Sequence, residues 1–344
     1  MKYKISLIRG DGIGPEQSEA TLKVLDAIQD VNALKLDIVE AEAGDTCFER
    51  RGMALPEETI KTIQASDACL KGPVGETAAD VIVRLRIMFD LYANIRPVKT
   101  YPNVRALKED LDFTIVRENT EDVYKGLEVN IDEGTAVCLR VITRKNSERI
   151  ARYAFNLAEN RGKKRLVTAV HKSNVMKKTC GLFAEACRRI ANEYPKIGFN
   201  ELYVDAAAMQ LIKNPYQFDV IVTTNMFGDI LSDEASILVG GLGMAPGANI
   251  GEDFGLFEPV HGSAPKYAGK QVANPCSMIL ASAMMLHWLG QRHSDDECIV
   301  ASKTIEKAVS ETLKAGILTR DLGGDAKTSE FGSAVSNRVI DKNG

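Results

Sequence analysis

The chain has 344 residues, of which 45% are hydrophobic and 26% charged, a balance that suits a soluble protein of one large or two medium domains, and two are expected. A formal net charge of −4 supplies no broad basic field, which argues against nucleic acid or an anionic membrane as main partner. Seven scattered cysteines without a Cys-x-x-Cys read as reduced, buried residues, with neither a zinc site nor a disulfide framework.

Residues 3–9 read as a strand, 10–15 as a turn and 16–30 as a helix with Ala20, Val24, Ala27 and Ile28 on its apolar face. This β-loop-α opening places glycines at 10, 12 and 14, so the Gly-x-Gly-x-x-Gly spacing of a conventional Rossmann motif is not met. The few apolar residues before Gly10 are too short for a signal-peptide core, and a cytoplasmic location is the expectation. A second strand at 36–39 and a helix near 56–65 follow. A helix over about 78–92 then carries Arg86, and Pro97 should end it at or before Arg96. Strand-like runs at 112–117, 136–142, 165–170, 202–204 and 219–223, with helices between several of them, indicate an α/β fold with a largely parallel central sheet. Residues 128–143 read as two strands joined at Asp132-Glu-Gly134, a hairpin suited to clasp a second copy.

The chemistry-bearing residues fall at strand ends and helix starts, the usual layout of α/β active sites. Arg117 and Tyr124 follow one apolar run, Lys172 another, and Asp205 a third. Asp229 and Asp233 stand four apart in Asn225-Met-Phe-Gly-Asp-Ile-Leu-Ser-Asp233, which stacks two carboxylates on one helical face. Hard divalent cations choose such oxygen ligands. Glycine and proline concentrate over 240–275, and loops of that kind connect domains or wrap a ligand, the second being preferred here. The apolar run 278–289 is too short to span a membrane. Helices near 275–290 and 295–315 close the chain.

Gly10-Asp-Gly-Ile-Gly-Pro-Glu16, Tyr92-Ala-Asn-Ile-Arg-Pro97, Arg117-Glu-Asn-Thr-Glu121, His171-Lys-Ser-Asn174, Tyr203-Val-Asp205, Phe227-Gly-Asp-Ile-Leu-Ser-Asp233 and Glu258-Pro-Val-His-Gly-Ser-Ala-Pro265 occur in order through nearly the whole chain. Together they resemble the metal-dependent β-decarboxylating dehydrogenases, the isocitrate, homoisocitrate and 3-isopropylmalate enzymes, and lie closest to the 3-isopropylmalate branch of archaeal type. The resemblance implies a two-domain fold without a conventional Rossmann motif. Residues 1–98 plus 240–344 would bind the cofactor, and 99–239 would form a metal and dimerisation domain with its clasp at about 125–144. It further implies Mg²⁺ or Mn²⁺ on Asp229, Asp233 and Asp205, with Asp205 and Lys172 reaching into the neighbouring copy of a homodimer or tetramer. Lys172 would be the proton acceptor and Tyr124 the proton donor. Arg86, Arg96 and Arg117 would hold the carboxylates of a 2-hydroxy diacid. A regulatory subunit would be expected to have lost one of these groups, and none is missing.

Substrate choice in this family rests on side chains one turn before the first arginine. Ile82 and Val83 lie four and three residues before Arg86 and would share its helical face, whereas Arg84 would point elsewhere. An apolar wall favours 3-isopropylmalate, with 3-methylmalate a smaller relative and homoisocitrate or isocitrate the alternatives. For the cofactor, the resemblance implies Ile13, Glu258, His261, Gly262, Ser263, Ala264, Pro265, Lys266, Tyr267, Asn274 and Arg320. Lys266 stands where NAD-using relatives carry an aspartate, and a lysine there attracts the 2′-phosphate of NADP. Arg320 would add a second cation, so NADP is expected ahead of NAD.

Overall fold

Lys2-Tyr-Lys-Ile-Ser-Leu-Ile buries its last four residues on both faces and forms the strand β1 (Lys2–Ile8), as a strand covered on two sides should. The computed structural model describes residues 2–77 and 79–341. Helix α1 (Gly14–Val31), started by Pro15, crosses to β2 (Lys35–Glu40), which pairs with β1 in parallel. Then come α2 (Asp45–Arg51), α3 (Glu57–Gln64) and β3 (Ala68–Lys71), which takes the other edge of β1. A π-helical turn over 79–83 leads into the short α4 (Arg84–Met88). The long helix expected over 78–92 is therefore broken, and the start placed near Ala78 lies outside the described residues. It ends where Asp90 takes φ 45°, and the chain then runs straight into β4 (Ala93–Lys99), so Arg96 and Pro97 sit in a strand.

β5 (Asp112–Glu118) pairs antiparallel with β4. The expected hairpin is β6 (Glu128–Asp132) and β7 (Thr135–Cys138), exposed along its whole length, and its second strand is shorter than the sequence suggested. Cys138 is accordingly exposed, whereas the other six cysteines are buried and all seven are unpaired. Helix α5 (Arg144–Arg161), β8 (Leu166–His171), α6 (Thr179–Ala191), β9 (Gly198–Tyr203), α7 (Val204–Lys213), β10 (Val220–Thr223) and α8 (Asn225–Leu238) follow the expected alternation. The glycine- and proline-rich stretch then supplies two strands that its composition hid, β11 (Pro246–Ile250) and β12 (Gly255–Pro259). Helices α9 (Cys276–His293), α10 (Asp296–Lys314) and α11 (Thr328–Ile340) complete the fold, the last beyond the closing helices expected.

One ten-stranded sheet runs β2-β1-β3-β12-β11-β4-β5-β10-β8-β9, antiparallel across β12-β11-β4-β5 and parallel elsewhere. The apolar run 278–289 is the middle of α9, a helix buried around most of its circumference beneath β11 and β12. Among the described residues no helix is long and apolar enough to cross a membrane. Strands from 2–99 and 246–259 make one half of the sheet and those from 112–223 the other, and β4 and β5 meet at the join. The C-terminal end of β5 is where the functional side chains collect.

Candidate active site

Arg117, near the end of β5, is buried against the first turns of α8. A Cβ on Gly228 would stand 2.6 Å from Arg117 Cγ, so the glycine of Phe-Gly-Asp is what allows this approach. The Arg117 guanidinium donates to Asn225 Oδ1 at 2.9 Å and pairs through Nη1 with Asp229. Tyr124, in a 3₁₀ turn over 123–125, stacks its ring 5.1 Å from the same guanidinium and donates its hydroxyl to Asp229 Oδ2 at 2.5 Å. Asp233, one turn on, lies 3.9 Å from Arg96 Nη1.

The other two arginines reach the same place from the other half of the sheet. Arg86 Nε donates to Asn249 Oδ1 at 3.0 Å, and Nη2 lies 3.4 Å from Glu258. Arg96 Nε donates to Asn94 Oδ1 at 2.6 Å, while its buried Nη1 has no hydrogen-bond partner. Arg117 and Arg96 therefore meet the Asp229–Asp233 pair, and Arg86, held on Glu258, acts on it through its charge. Burial, and then repulsion from Arg117 and Arg86, pushes the Arg96 pKa down to about 10. Burial also lowers Arg86, against the attraction of Glu258. Burial would raise Asp229, but Arg117, the Tyr124 hydroxyl, Arg96 and Arg86 outweigh it and hold the carboxylate below its ordinary value. Asp233 goes the other way, raised by burial and, after Arg96 opposes this, by Asp229. Glu258 is held at about 2, because Lys71 at 2.8 Å and Arg86 overcome its burial. A buried guanidinium nitrogen without a hydrogen-bond partner and a carboxylate raised by its burial describe a site prepared for an anion and a cation together.

Asp229 and Asp233 keep exposed carboxylate oxygens on one face of α8, a hard-oxygen pair that fits Mg²⁺ or Mn²⁺. Asp205, in the first turn of α7, does not join them within the chain; it pairs with Lys172 at 2.7 Å. Among the described residues no three His, Cys, Asp or Glu side chains gather as a metal site. Val83 and Ile82 are half-buried and Arg84 is exposed, yet the π turn removes the even α-helical spacing that put the first two on the Arg86 face. Ile82 packs against the core cluster formed by Val81, Leu85 and Leu91.

A cleft of ≈ 510 Å³ opens beside α1 and is lined by Ile13, His261, Gly262, Ala264, Tyr267, Asn274 and Arg320, joined by Gln17 and Asp321. The glycine turn builds one wall. A Cβ on Gly12 would meet the Ser263 carbonyl oxygen at 2.0 Å, and Ile13 N donates to that oxygen at 2.9 Å. The spacing that fails as a Rossmann motif is thus a backbone clasp between 10–14 and the 261–265 loop. His261 is neutral, its pKa lowered by burial, and its Nδ1 hydrogen faces Gly262 O while Nε2 accepts from Gln17 and Ser277. Lys266 is exposed with Nζ 4.9 Å from the Tyr267 ring centre. Ser263, Pro265 and Lys266 share this loop without lining the cleft, and Glu258 is placed with Lys71 and Arg86 instead, because its burial demands two cations.

Sequence reasoning missed Lys71, Asn94, Asn225 and Asn249. Asn94 and Asn225 stood inside recognised motifs, but an asparagine carries no charge to announce a role. Lys71 and Asn249 stood in a strand end and a presumed loop.

A sequence profile described as isocitrate/isopropylmalate dehydrogenase matches residues 4–335. The chain is 52% identical over 340 residues to a 3-isopropylmalate/3-methylmalate dehydrogenase of Methanocaldococcus jannaschii, covering 98% of this chain and 99% of that one. It is also 52% identical over 338 residues to a 3-isopropylmalate dehydrogenase of Methanothermobacter thermautotrophicus, with 98% and 99% covered. The crystal structure of isocitrate dehydrogenase from Methylococcus capsulatus superimposes with a TM-score of 0.89 at 45% identity, covering 98% of this chain and 99% of that one. With its arginines, aspartates and cleft in one continuous sheet fold, the chain belongs to the isocitrate/isopropylmalate dehydrogenase family.

Proposed function

We propose that this chain oxidatively decarboxylates 3-isopropylmalate to 4-methyl-2-oxopentanoate and CO₂, a step of leucine biosynthesis, with a divalent metal and NADP in preference to NAD. The observation that carries the reading is the gathering of three buried arginines around the Asp229–Asp233 pair, Arg117 paired with Asp229, Arg96 3.9 Å from Asp233 with one buried nitrogen unsatisfied, and Arg86 near enough for its charge to act on Asp229. Forked guanidinium groups match carboxylate geometry, so the trio suits the two carboxylates of a malate-type acid. Relatives named for 3-isopropylmalate at about half identity support the same substrate.

When bound, a Mg²⁺ or Mn²⁺ on Asp229, Asp233 and a second copy's Asp205 would supply Lewis acidity, and the nicotinamide would supply a hydride acceptor. Lys172 takes the proton of the C2 hydroxyl as oxidation proceeds. Tyr124, kept protonated by burial and by its hydrogen bond to Asp229, returns a proton to C3 once CO₂ has left. Ile82 and Val83 offer apolar surface to the 3-alkyl group, where an unpaired third carboxylate would lose its hydration without gain. Arg320 lines the cleft and Lys266 lies exposed on the adjoining 261–267 loop, and the two would serve as cations for a 2′-phosphate.

Lys172 and Asp205 pair with each other, and among the described residues no third acid joins Asp229 and Asp233, which supports a site completed by a second copy. Exposed Met209 and Ile212 on α7, Ile230 and Ile237 on α8, and Val129 and Ile131 on the hairpin supply apolar surface for that copy to cover. A division into a cofactor domain of 1–98 plus 240–344 and a metal domain of 99–239 is supported by the grouping of strands on either side of the β4–β5 join. Incubation with 3-isopropylmalate, Mn²⁺ and NADP should release CO₂ and the 2-oxo acid in step with NADPH. Failure to form a 2-oxo acid from any 3-substituted malate would remove the proposal.

A further inference from the structure

Each of the three arginines is held at the same atom by the same kind of group. Arg86 Nε donates to Asn249 Oδ1 at 3.0 Å, Arg96 Nε to Asn94 Oδ1 at 2.6 Å and Arg117 Nε to Asn225 Oδ1 at 2.9 Å. All three asparagines are buried, at 0%, 0% and 1% exposure for 249, 94 and 225, so none of these contacts is a surface accident. Their amide orientations are fixed by chemistry. Every Oδ1 faces a guanidinium, which only donates, and every Nδ2 faces an acceptor: Glu258 Oε1 at 2.8 Å from Asn249, Asn249 Oδ1 at 2.8 Å from Asn94, and Glu121 O at 3.1 Å from Asn225.

The choice of an amide has a physical consequence. A carboxylate in its place would also pin Nε, but it would cancel the arginine's charge inside a buried site and could not donate onward to the next anchor. A neutral amide fixes the plane of the guanidinium and leaves its charge for a ligand. Burial is the first cause of the lowered pKa values of Arg86 and Arg96, and a neutral amide adds no countercharge against it. Asn94 and Asn249 are moreover joined to each other, so Arg96, Asn94, Asn249 and Arg86 form one continuous chain of hydrogen bonds. Asn119 Nδ2 adds a third donor to Asn249 Oδ1 at 2.9 Å, fixing the hub further. Asn225 belongs to α8 and is tied to Glu121, outside that chain.

We propose that Asn94, Asn225 and Asn249 are positioning residues that aim the three arginines at the substrate carboxylates without neutralising them, and that the Asn94-Asn249 link makes Arg86 and Arg96 a single coupled unit. The proposal rests on the reading of these arginines as the diacid-binding groups. An interaction made equally in ground and transition states appears in KM, and its loss leaves kcat less affected. Groups in one hydrogen-bond network give non-additive effects, while separate ones add.

The test is a kinetic cycle on the full chain with Asn94→Ala, Asn249→Ala, Asn225→Ala and the doubles Asn94→Ala/Asn249→Ala and Asn94→Ala/Asn225→Ala. Each single change should raise KM for 3-isopropylmalate by roughly tenfold or more, the scale set by a misaimed binding group, while KM for the nicotinamide cofactor stays within about twofold. The 94/249 double should be little worse than either single, and the 94/225 double should multiply. Threonine at 94 and 249 keeps a hydroxyl acceptor; it should restore part of the affinity and serves where an alanine variant does not fold. Equal rises in both KM values, or a 94/249 double that multiplies, would overturn the positioning role while wild-type turnover keeps the functional reading intact. No turnover of any 3-substituted malate by the unaltered chain would overturn the reading and this inference with it.

Discussion

Tyr124 and Lys71 are the residues whose local chemistry makes the sharpest demands. Tyr124 donates to Asp229 at 2.5 Å, and its pKa is raised by burial and then by that hydrogen bond, which suits the proton-donor role proposed for it. Tyr124→Phe removes the proton donor and leaves the ring over Arg117. Overall turnover should fall by roughly 10²-fold or more, the usual worth of a positioned acid, with hydride transfer in the first turnover affected less than release of the 2-oxo acid. Rapid-mixing measurement of NADPH against product would show this, and unchanged turnover would remove Tyr124 from the mechanism. Lys71 holds Glu258 at 2.8 Å beneath Arg86, and Glu258 is kept at about 2 against an ordinary value of 4.5. Because the folded value is the lower one, this carboxylate stabilises the fold above the ordinary carboxylate range, and the contribution is lost as pH falls toward 2. Lys71→Met should cost about 3 kcal/mol in urea unfolding at pH 7, the scale of breaking a buried pair, and clearly less at pH 3. An equal penalty at both pH values would contradict it. The charged members of the site were legible in the sequence because Asp, Arg and Lys at strand ends announce themselves. The asparagines that hold them were not, since an amide's role depends on which donor it meets across the sheet.

At the scale of elements, the apolar runs gave β1, β2, β5, β8, β10 and the end of β9, whereas β3 was not read as a strand and β4, β11 and β12 were hidden by their composition. Proline is disfavoured within a sheet because it cannot donate to the ladder. Yet β11 pairs with β4 only at 93–95, so Pro97 lies past that edge, and Pro246 and Pro259 face each other at the end of their ladder. The π turn at 79–83 was invisible for a related reason: helix-forming residues do not declare which helix they will make. The hairpin, by contrast, was legible from Asp132-Glu-Gly134, and it contributes nothing to the hydrophobic core. Leu139 N donates to Leu127 O at 2.9 Å, so its ends are close enough to be rejoined by Gly-Gly in place of 128–138. Such a chain should keep its far-ultraviolet circular dichroism and a cooperative thermal transition, yet run as a monomer in light scattering and lose activity by roughly 10²-fold or more, as when a catalytic group is withdrawn. A shortened chain that stays dimeric and active would remove the clasp.

Across the whole molecule, the antiparallel stretch β12-β11-β4-β5 of the one large sheet brings residues from distant parts of the chain to one place. Arg86, Asn249 and Glu258 meet although more than 150 positions separate the first from the others. No local pattern encodes such a meeting, and the motifs did not reveal it: Asn249 was missed and Glu258 was expected at the cofactor. The central claim is the substrate: a 3-alkylmalate, with NADP as oxidant. Its most direct test is kcat/KM for 3-isopropylmalate, 3-methylmalate, homoisocitrate and isocitrate, each with NADP and with NAD in the presence of Mn²⁺. 3-Isopropylmalate with NADP should be the best pair, with isocitrate lower by about 10²-fold or more, the penalty for an unpaired carboxylate at an apolar wall. Isocitrate or homoisocitrate as the preferred acid, or NAD as the preferred cofactor, would contradict it.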